Sequence, residues 1–244
     1  MTHVLRSIAA TSAGICKGCV IVFAMIGAVC AQVQPDRGEL FIGAEFRVAF
    51  EDPPDNPELP NVLLIGDSIS IGYTIEVRKA LVGKADVFRI PTNGRDAGFA
   101  LAHLEQWLNR RGIHWDLIHF NWGLWDICYR TPEICATPEQ YADHLEQAVK
   151  ILKATGARLI WCTTTPVPEN AVGRYQGDEV KYNGIAEKIM RANGIEVNDL
   201  HAYCIKISSG RDDVSRAPGD VHFTAQGYAL LGQKVAEEIR KRLD

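Results

Sequence analysis

Short apolar runs that alternate with stretches of helical periodicity give this chain its pattern. Asn61–Ile65 (NVLLI) ends at Gly66 and reads as a buried strand, and Ile71, Ile75 and Val82, with Val77 and Leu81, then supply a helical face. Asp86–Ile90 (DVFRI) is a second strand, followed by a helix marked by Phe99, Leu101, Leu104, Trp107 and Leu108 and stopped at Gly112. Asp116–Phe120 (DLIHF) is a third strand. Thr137-Pro138-Glu139-Gln140 starts the next helix with a cap, a proline at the first helical position and a glutamine placed to complete a capping box. Leu145, Val149 and Leu152 carry that helix to Gly156. A fourth strand, Arg158–Cys162 (RLIWC), precedes a helix around Glu179–Ala192, and Gly194 stops that helix before a short fifth strand at Ile195–Val197. Leu231, Val235, Ile239 and Leu243 recur every four residues in the last helix. Such alternation predicts an α/β protein, a three-layer α/β/α sandwich around a parallel sheet of about five strands. Ligands bind such open sheets beyond the carboxyl ends of the strands, so residues just after each strand are the ones to inspect.

Composition changes this picture little. With 47% hydrophobic and 23% charged residues the chain is an ordinary globular sequence, neither disordered nor fibrous. No repeat, charge run or Gly/Ser spacer marks an internal boundary, so residues 61–244 read as one domain, with residues 32–60 as an N-terminal extension packing on it. The net charge of −4 carries no clustered Lys and Arg and excludes a nucleic-acid partner. No His/Cys/carboxylate set has metal-ligand spacing, and neither a metal nor a cofactor is expected.

Residues 1–31 differ from the rest. They hold Arg6 and Lys17 but no acidic residue, then an apolar run from Gly18 to Val29 closed by Val29-Cys30-Ala31, the layout of a secretory signal peptide cleaved after Ala31. The run falls short of the ~20 apolar residues of a membrane span, so no stable membrane insertion is expected after its removal. The mature protein, secreted or periplasmic, would carry 24 Lys and Arg against 30 Asp and Glu. Four cysteines would remain. Cys128 and Cys135 bracket a short loop and are expected to pair in an oxidising compartment, while a Cys162–Cys204 pairing stays open.

The first strand runs into Gly66-Asp67-Ser68-Ile69-Ser70. A serine between a buried strand and a helix start is held rigidly, with its own N–H where an oxyanion would form. Asp67 or Ser68 could equally be a plain helix cap. Far along the chain, Pro218-Gly219-Asp220-Val221-His222-Phe223-Thr224 precedes the last helix. His222 offers the base that a serine hydroxyl needs. His103, His114, His119, His144 and His201 lack such a setting and read as structural, and His3 leaves with the signal.

A strand followed by Gly-Asp-Ser, with Asp-Val-His-Phe-Thr and Gly227-Tyr228 at the final helix, resembles the SGNH/GDSL hydrolase family from about Val62 to the C-terminus. The resemblance implies a flavodoxin-like sandwich and metal-free ester hydrolysis, with Ser68 as nucleophile and His222 as base. It also implies a glycine N–H after the second strand as an oxyanion donor, for which Gly94 is the match and Gly98 the weaker one. The third block of the family, Gly-x-Asn-Asp, reads Gly123-Leu124-Trp125-Asp126 here, with Trp125 where the asparagine is expected. Asn121, the Trp125 indole, or a hole of Ser68 and Gly94 alone remain open as the donor set. The usual Asp-x-x-His spacing is also altered. Asp220 is the carboxylate expected to orient His222, with Asp213 or a backbone carbonyl as alternatives. Trp122, Trp125 and Asp67 are candidates for contact with substrate, although Asp67 and Asp126 suit bracing the site loops better. Thr163–Pro168 should line the pocket rim, and Arg174 and Tyr175 lie on a loop long enough to reach substrate.

These residues predict a secreted serine esterase acting on a small-molecule or polysaccharide ester, with short acyl groups such as acetyl favoured because no apolar lid is evident. The competing readings are a lipase or lysophospholipase of the same family, and a non-catalytic carbohydrate-binding protein in which Trp125 marks a lost oxyanion hole.

Overall fold

The computed structural model describes residues 44–54, 56–130 and 135–243. The signal peptide expected at residues 1–31 and its cleavage after Ala31 lie outside the described residues.

Five parallel strands form the centre: β1 Asn61–Ile65, β2 Asp86–Arg89, β3 Leu117–Phe120, β4 Arg158–Cys162 and β5 Glu196–Asn198, in the order β2-β1-β3-β4-β5. Leu63 pairs with Phe88 on one side and with Ile118 on the other, and these residues have almost no exposed surface. Strands buried on both faces need continuous apolar sequence, and NVLLI and LIHF provide it. Among the described residues six α-helices connect and cover them: α1 Ser68–Ala80, α2 Ala97–Leu108, α3 Pro138–Ala154, α4 Asp178–Ala192, α5 Leu200–Ser208 and α6 Ala225–Leu243. Helix α1 packs on α6, and α2, α3 and α4 pack in sequence as the other layer. Leu231, Val235 and Ile239 of α6 are buried, as their four-residue recurrence predicts. The chain direction through the sheet reverses between β1 and β3, and in this topology that switch point opens a crevice at the carboxyl ends of the strands.

Local signals explain most boundaries. Thr137 and Gln140 close a full capping box at α3, with Gln140 N–H to Thr137 Oγ1 at 3.2 Å and Thr137 N–H to Gln140 Oε1 at 2.9 Å. Helix α1 lies so close to α6 that a Cβ on Gly72 would fall 2.1 Å from the Tyr228 ring. Val82, expected on the helical face of α1, is instead 78% exposed, because the helix is capped at Leu81. Helix α5 has no counterpart in the pattern reading. It starts at Asp199, whose carboxylate accepts the Ala202 N–H at 2.9 Å. Ahead of β1, a 3-10 turn at Ala44–Phe50 lies on α1, with Ala49 buried against Ile71 and Arg78 donating to Val48 O and Ala49 O.

The expected Cys128–Cys135 disulfide is not formed; Cys128, Cys135, Cys162 and Cys204 are all free thiols. The loop ends are held together without it, by the Ala136 N–H on Asp126 O at 2.9 Å and by the Tyr182 hydroxyl on Ala136 O.

Candidate active site

The turn from β1 to α1 places Ser68 at the switch point. Only Gly66 and Asp67 separate the two elements, and a Cβ on Gly66 would sit 3.0 Å from Ser70 Cβ. Asp67 caps the helix, its Oδ1 accepting the Ile69 N–H at 2.9 Å. A second clamp comes from Arg89, at the end of β2 and 1% exposed. Its guanidinium donates to Gly66 O at 2.9 Å, to Ser70 Oγ at 3.0 Å and to Thr92 O at 2.6 Å. One buried cation thus ties the serine turn to the loop after β2. A lone arginine in DVFRI was the only sequence signal for this role, and it reads more readily as a strand end.

The loop before α6 brings in the base. Ser215 bridges Phe223, Arg216 N–H donates to His222 O at 3.1 Å, and Thr224 N–H donates to Val214 O at 2.9 Å, so the segment is folded back on itself. His222 Nε2 lies 2.9 Å from Ser68 Oγ, across 154 residues of sequence. On the other side of the ring, Nδ1 lies 2.7 Å from Asp220 Oδ1. The shortened Asp-x-His spacing works because that same Oδ1 also accepts the His222 backbone N–H at 3.0 Å. The side chain mimics a backbone turn and faces its own second neighbour. Asp213, the alternative carboxylate, pairs with Arg211 at 2.7 Å instead. Burial raises the Asp220 carboxyl, but the two bonds from His222 and the charges of His222 and Arg216 outweigh it and hold the group below its ordinary value.

A cavity of about 540 Å³ opens above this relay, lined by Ser68, Asn93, Leu124, Trp125, Arg174 and His222 among others. The other residues expected at the site fall differently. Trp122 is fully buried, and its carbonyl accepts from Tyr141 and Thr164, so it packs the core and does not meet substrate. Its near neighbour Trp125 lines the cavity. Asn121 is turned away, its amide donating to Cys162 O at 2.6 Å and Thr164 Oγ1 at 3.3 Å. The Gly94 N–H donates to Gly66 O at 2.9 Å and is occupied by the backbone that carries the serine. Both expected oxyanion donors are thus engaged within the fold. Asp67 is 1% exposed and braces the turn; burial raises its carboxyl, against the Ile69 N–H and the charges of Arg174, His222 and Arg89. His119 is a neutral core residue beside Asn198, its pKa lowered by burial to about 3.

Asn93 stands out among the residues missed in the sequence. It is 1% exposed by residue yet lines the cavity with Ser68, and its Oδ1 accepts the Arg95 N–H at 3.0 Å. That bond fixes the amide plane. An asparagine preceding the matched glycine was the available signal.

Asp126 gives the site loops a pH response. It is fully buried beneath the cavity loop, its Oδ1 accepts the Ala97 N–H at 3.1 Å, and burial pushes its pKa up to about 8. An unfolded aspartate loses its proton near pH ~4. Between these values the native state binds more protons than the unfolded one, so this residue makes stability fall as pH rises. Asp126→Asn should flatten that dependence, raising Tm at pH 8 by about 2 °C or more while matching the parent at pH 4, as thermal melts across that range would report.

A doubly wound sheet with a Ser-His-Asp relay at its switch point defines a serine hydrolase of the acylhydrolase class. The model of the GDSL-like Lipase/Acylhydrolase family matches residues 64–230, most of the chain. The protein therefore belongs to that family and is an ester hydrolase. Among solved structures, a lipase/acylhydrolase from Enterococcus faecalis superposes with a TM-score of 0.64 at 21% identity, over 75% of this chain and 96% of that one. The acetyl xylan esterase AlAXEase gives 0.62 at 18% identity, over 73% and 99%. Axe2, an acetylxylan esterase from Geobacillus stearothermophilus, gives 0.63 at 17%, over 74% and 94%. Identities this low establish the shared fold. No curated protein matches the sequence.

Proposed function

We propose that this protein is an exported serine esterase that removes short acyl groups, acetyl foremost, from carbohydrate. The observation that carries the reading is the relay Ser68–His222–Asp220, closed at 2.9 and 2.7 Å at the mouth of a cavity. Ser68 Oγ attacks the ester carbonyl as His222 Nε2 takes its proton. Asp220 holds Nδ1–H in place and balances the imidazolium. His222 then protonates the departing alcohol, and a water molecule, deprotonated by the same nitrogen, releases the acid and restores Ser68.

The tetrahedral oxyanion falls to the Ser68 N–H and to the Asn93 amide. Asn93 replaces Gly94 and Asn121 in this account because it faces the same cavity as Ser68 and its plane is fixed by Arg95. Asn93→Ala should lower kcat by roughly 10²–10³ with little change in KM, the signature of a contact made in the transition state. Steady-state kinetics on one soluble ester would check it.

Carbohydrate is favoured by the solved acetyl xylan esterases that share this fold and by Trp125 at the cavity wall. Export is favoured by the unbroken run of residues 18–29 without charge and by the absence of acidic residues before Gln32. No helix among the described residues is long and apolar enough to cross a membrane. The test is hydrolysis of p-nitrophenyl acetate, butyrate and octanoate, followed by acetate release from acetylated polysaccharide. Rates falling with chain length, together with released acetate, support the reading. A preference for octanoate would move it to a lipase.

A further inference from the structure

The lining of the cavity carries an unusual charge. Two of its lining side chains are guanidinium groups, Arg130 after β3 and Arg174 after β4. Asp220 is the one carboxylate among the lining residues, and it is already engaged by His222 and by Arg216, 3.4 Å away. Neither Arg130 nor Arg174 has an ion-pair partner within 4 Å among the described residues.

Both arginines are held in place. Arg174 Nε donates to Leu124 O at 2.6 Å, which leaves the other edge of its guanidinium for a ligand. The stem of Arg130 lies over Gly173, where a Cβ would come within 2.5 Å of Arg130 Cδ, and Gly173 has a φ of +85 that a side chain would resist. The two loops are stitched by the Tyr129 N–H on Gly173 O at 3.0 Å. Tyr129 and Tyr175 stack across the same junction, with ring centroids 4.6 Å apart, and remain 44% and 65% exposed. An exposed aromatic pair suits the apolar face of a sugar. A guanidinium fork suits a carboxylate, which it can bind through two parallel N–H···O bonds. A neutral sugar would cover the exposed Arg130 and half-buried Arg174 without answering their charge.

We infer that the substrates are acyl esters of carboxylate-bearing saccharides, with Arg130 and Arg174 binding a uronate carboxylate while Ser68 attacks the neighbouring ester. Arg174 also offsets the buried Asp67, so Arg130 is the cleaner position to test. The inference rests on the esterase reading above, and the experiment separates the two.

Acetate release by the mature protein is measured from an acetylated galacturonate oligosaccharide, from its methyl-esterified neutral counterpart and from an acetylated sulfated saccharide, with p-nitrophenyl acetate alongside. The free uronate should show a kcat/KM at least about 10-fold above the neutral counterpart, mostly through KM, and the advantage should shrink as salt rises. Arg130→Gln should bring that ratio towards one. Equal or better hydrolysis of the neutral substrate overturns the inference, as does a preference for the sulfated one. Turnover of p-nitrophenyl acetate without any saccharide turnover also overturns it but leaves the esterase reading intact. Loss of p-nitrophenyl acetate turnover as well sinks both.

Discussion

Ser68→Ala is expected to fold normally and to lower kcat on p-nitrophenyl acetate by roughly 10⁵- to 10⁶-fold, the loss that follows when the nucleophile of such a relay is removed. The serine contributes little to packing beyond its bond to His222, and the turn around it is held by Asp67 and Arg89 rather than by its hydroxyl. Folding should therefore survive while the covalent route disappears. Unchanged Tm with lost turnover is the expected pair of results from melting and kinetics on the same preparation. A loss below about 10-fold would mean that another group attacks the ester.

Asp220→Asn should cost roughly 10⁴ in kcat. The reason is specific to this loop. Asp220 Oδ1 accepts both the ring and the backbone N–H of His222, while Oδ2 faces Arg216 at 3.4 Å. An asparagine must choose. With its oxygen towards Arg216, its NH2 confronts two donors and drives His222 to the tautomer that carries hydrogen on Nε2, which cannot accept from Ser68. With its oxygen towards His222, its NH2 confronts Arg216, and the charge that balanced the imidazolium is gone. Kinetics across pH would report the loss. Activity close to the parent would show that the imidazole is oriented by something else.

Much of the architecture was legible because it is written in local pattern. NVLLI, LIHF and RLIWC are apolar for as long as a strand lasts, and Thr137 to Gln140 spells a capping box that forms in full. Helix α5 escaped because it is nine residues long and buries only Leu200 and Cys204, too few positions to show a period. Ser68 and His222 could be read because each sits in a short strand-turn-helix or loop-helix motif whose chemistry is local. Asp220 was readable as a residue, and its altered spacing is explained by one carboxylate oxygen serving two N–H groups.

The engagement of the expected oxyanion donors within the fold was not readable, for a physical reason. Whether an N–H is available depends on which carbonyl lies across from it. Gly94 is matched by position, but the carbonyl of Gly66 on the adjoining strand end takes its hydrogen. Asn121 directly follows β3 within reach of Cys162 and Thr164, so its amide joins the ends of β3 and β4. Trp122 and Trp125 stand three residues apart in the segment after β3, and only the fold decides that the first enters the core and the second meets the cavity. Arg89 was invisible for a related reason: a buried charge can be recognised only from the carbonyls that surround it.

The central claim is that Ser68 is an activated nucleophile, and covalent labelling tests it most directly. The protein is treated with a fluorophosphonate at neutral pH, digested with trypsin and sequenced by mass spectrometry. One adduct on the peptide spanning residues 48–78, with fragments placing it on Ser68 and not Ser70, and much slower labelling in His222→Ala, is the predicted result. No adduct, or an adduct on another serine with Ser68 unmodified, would contradict the account.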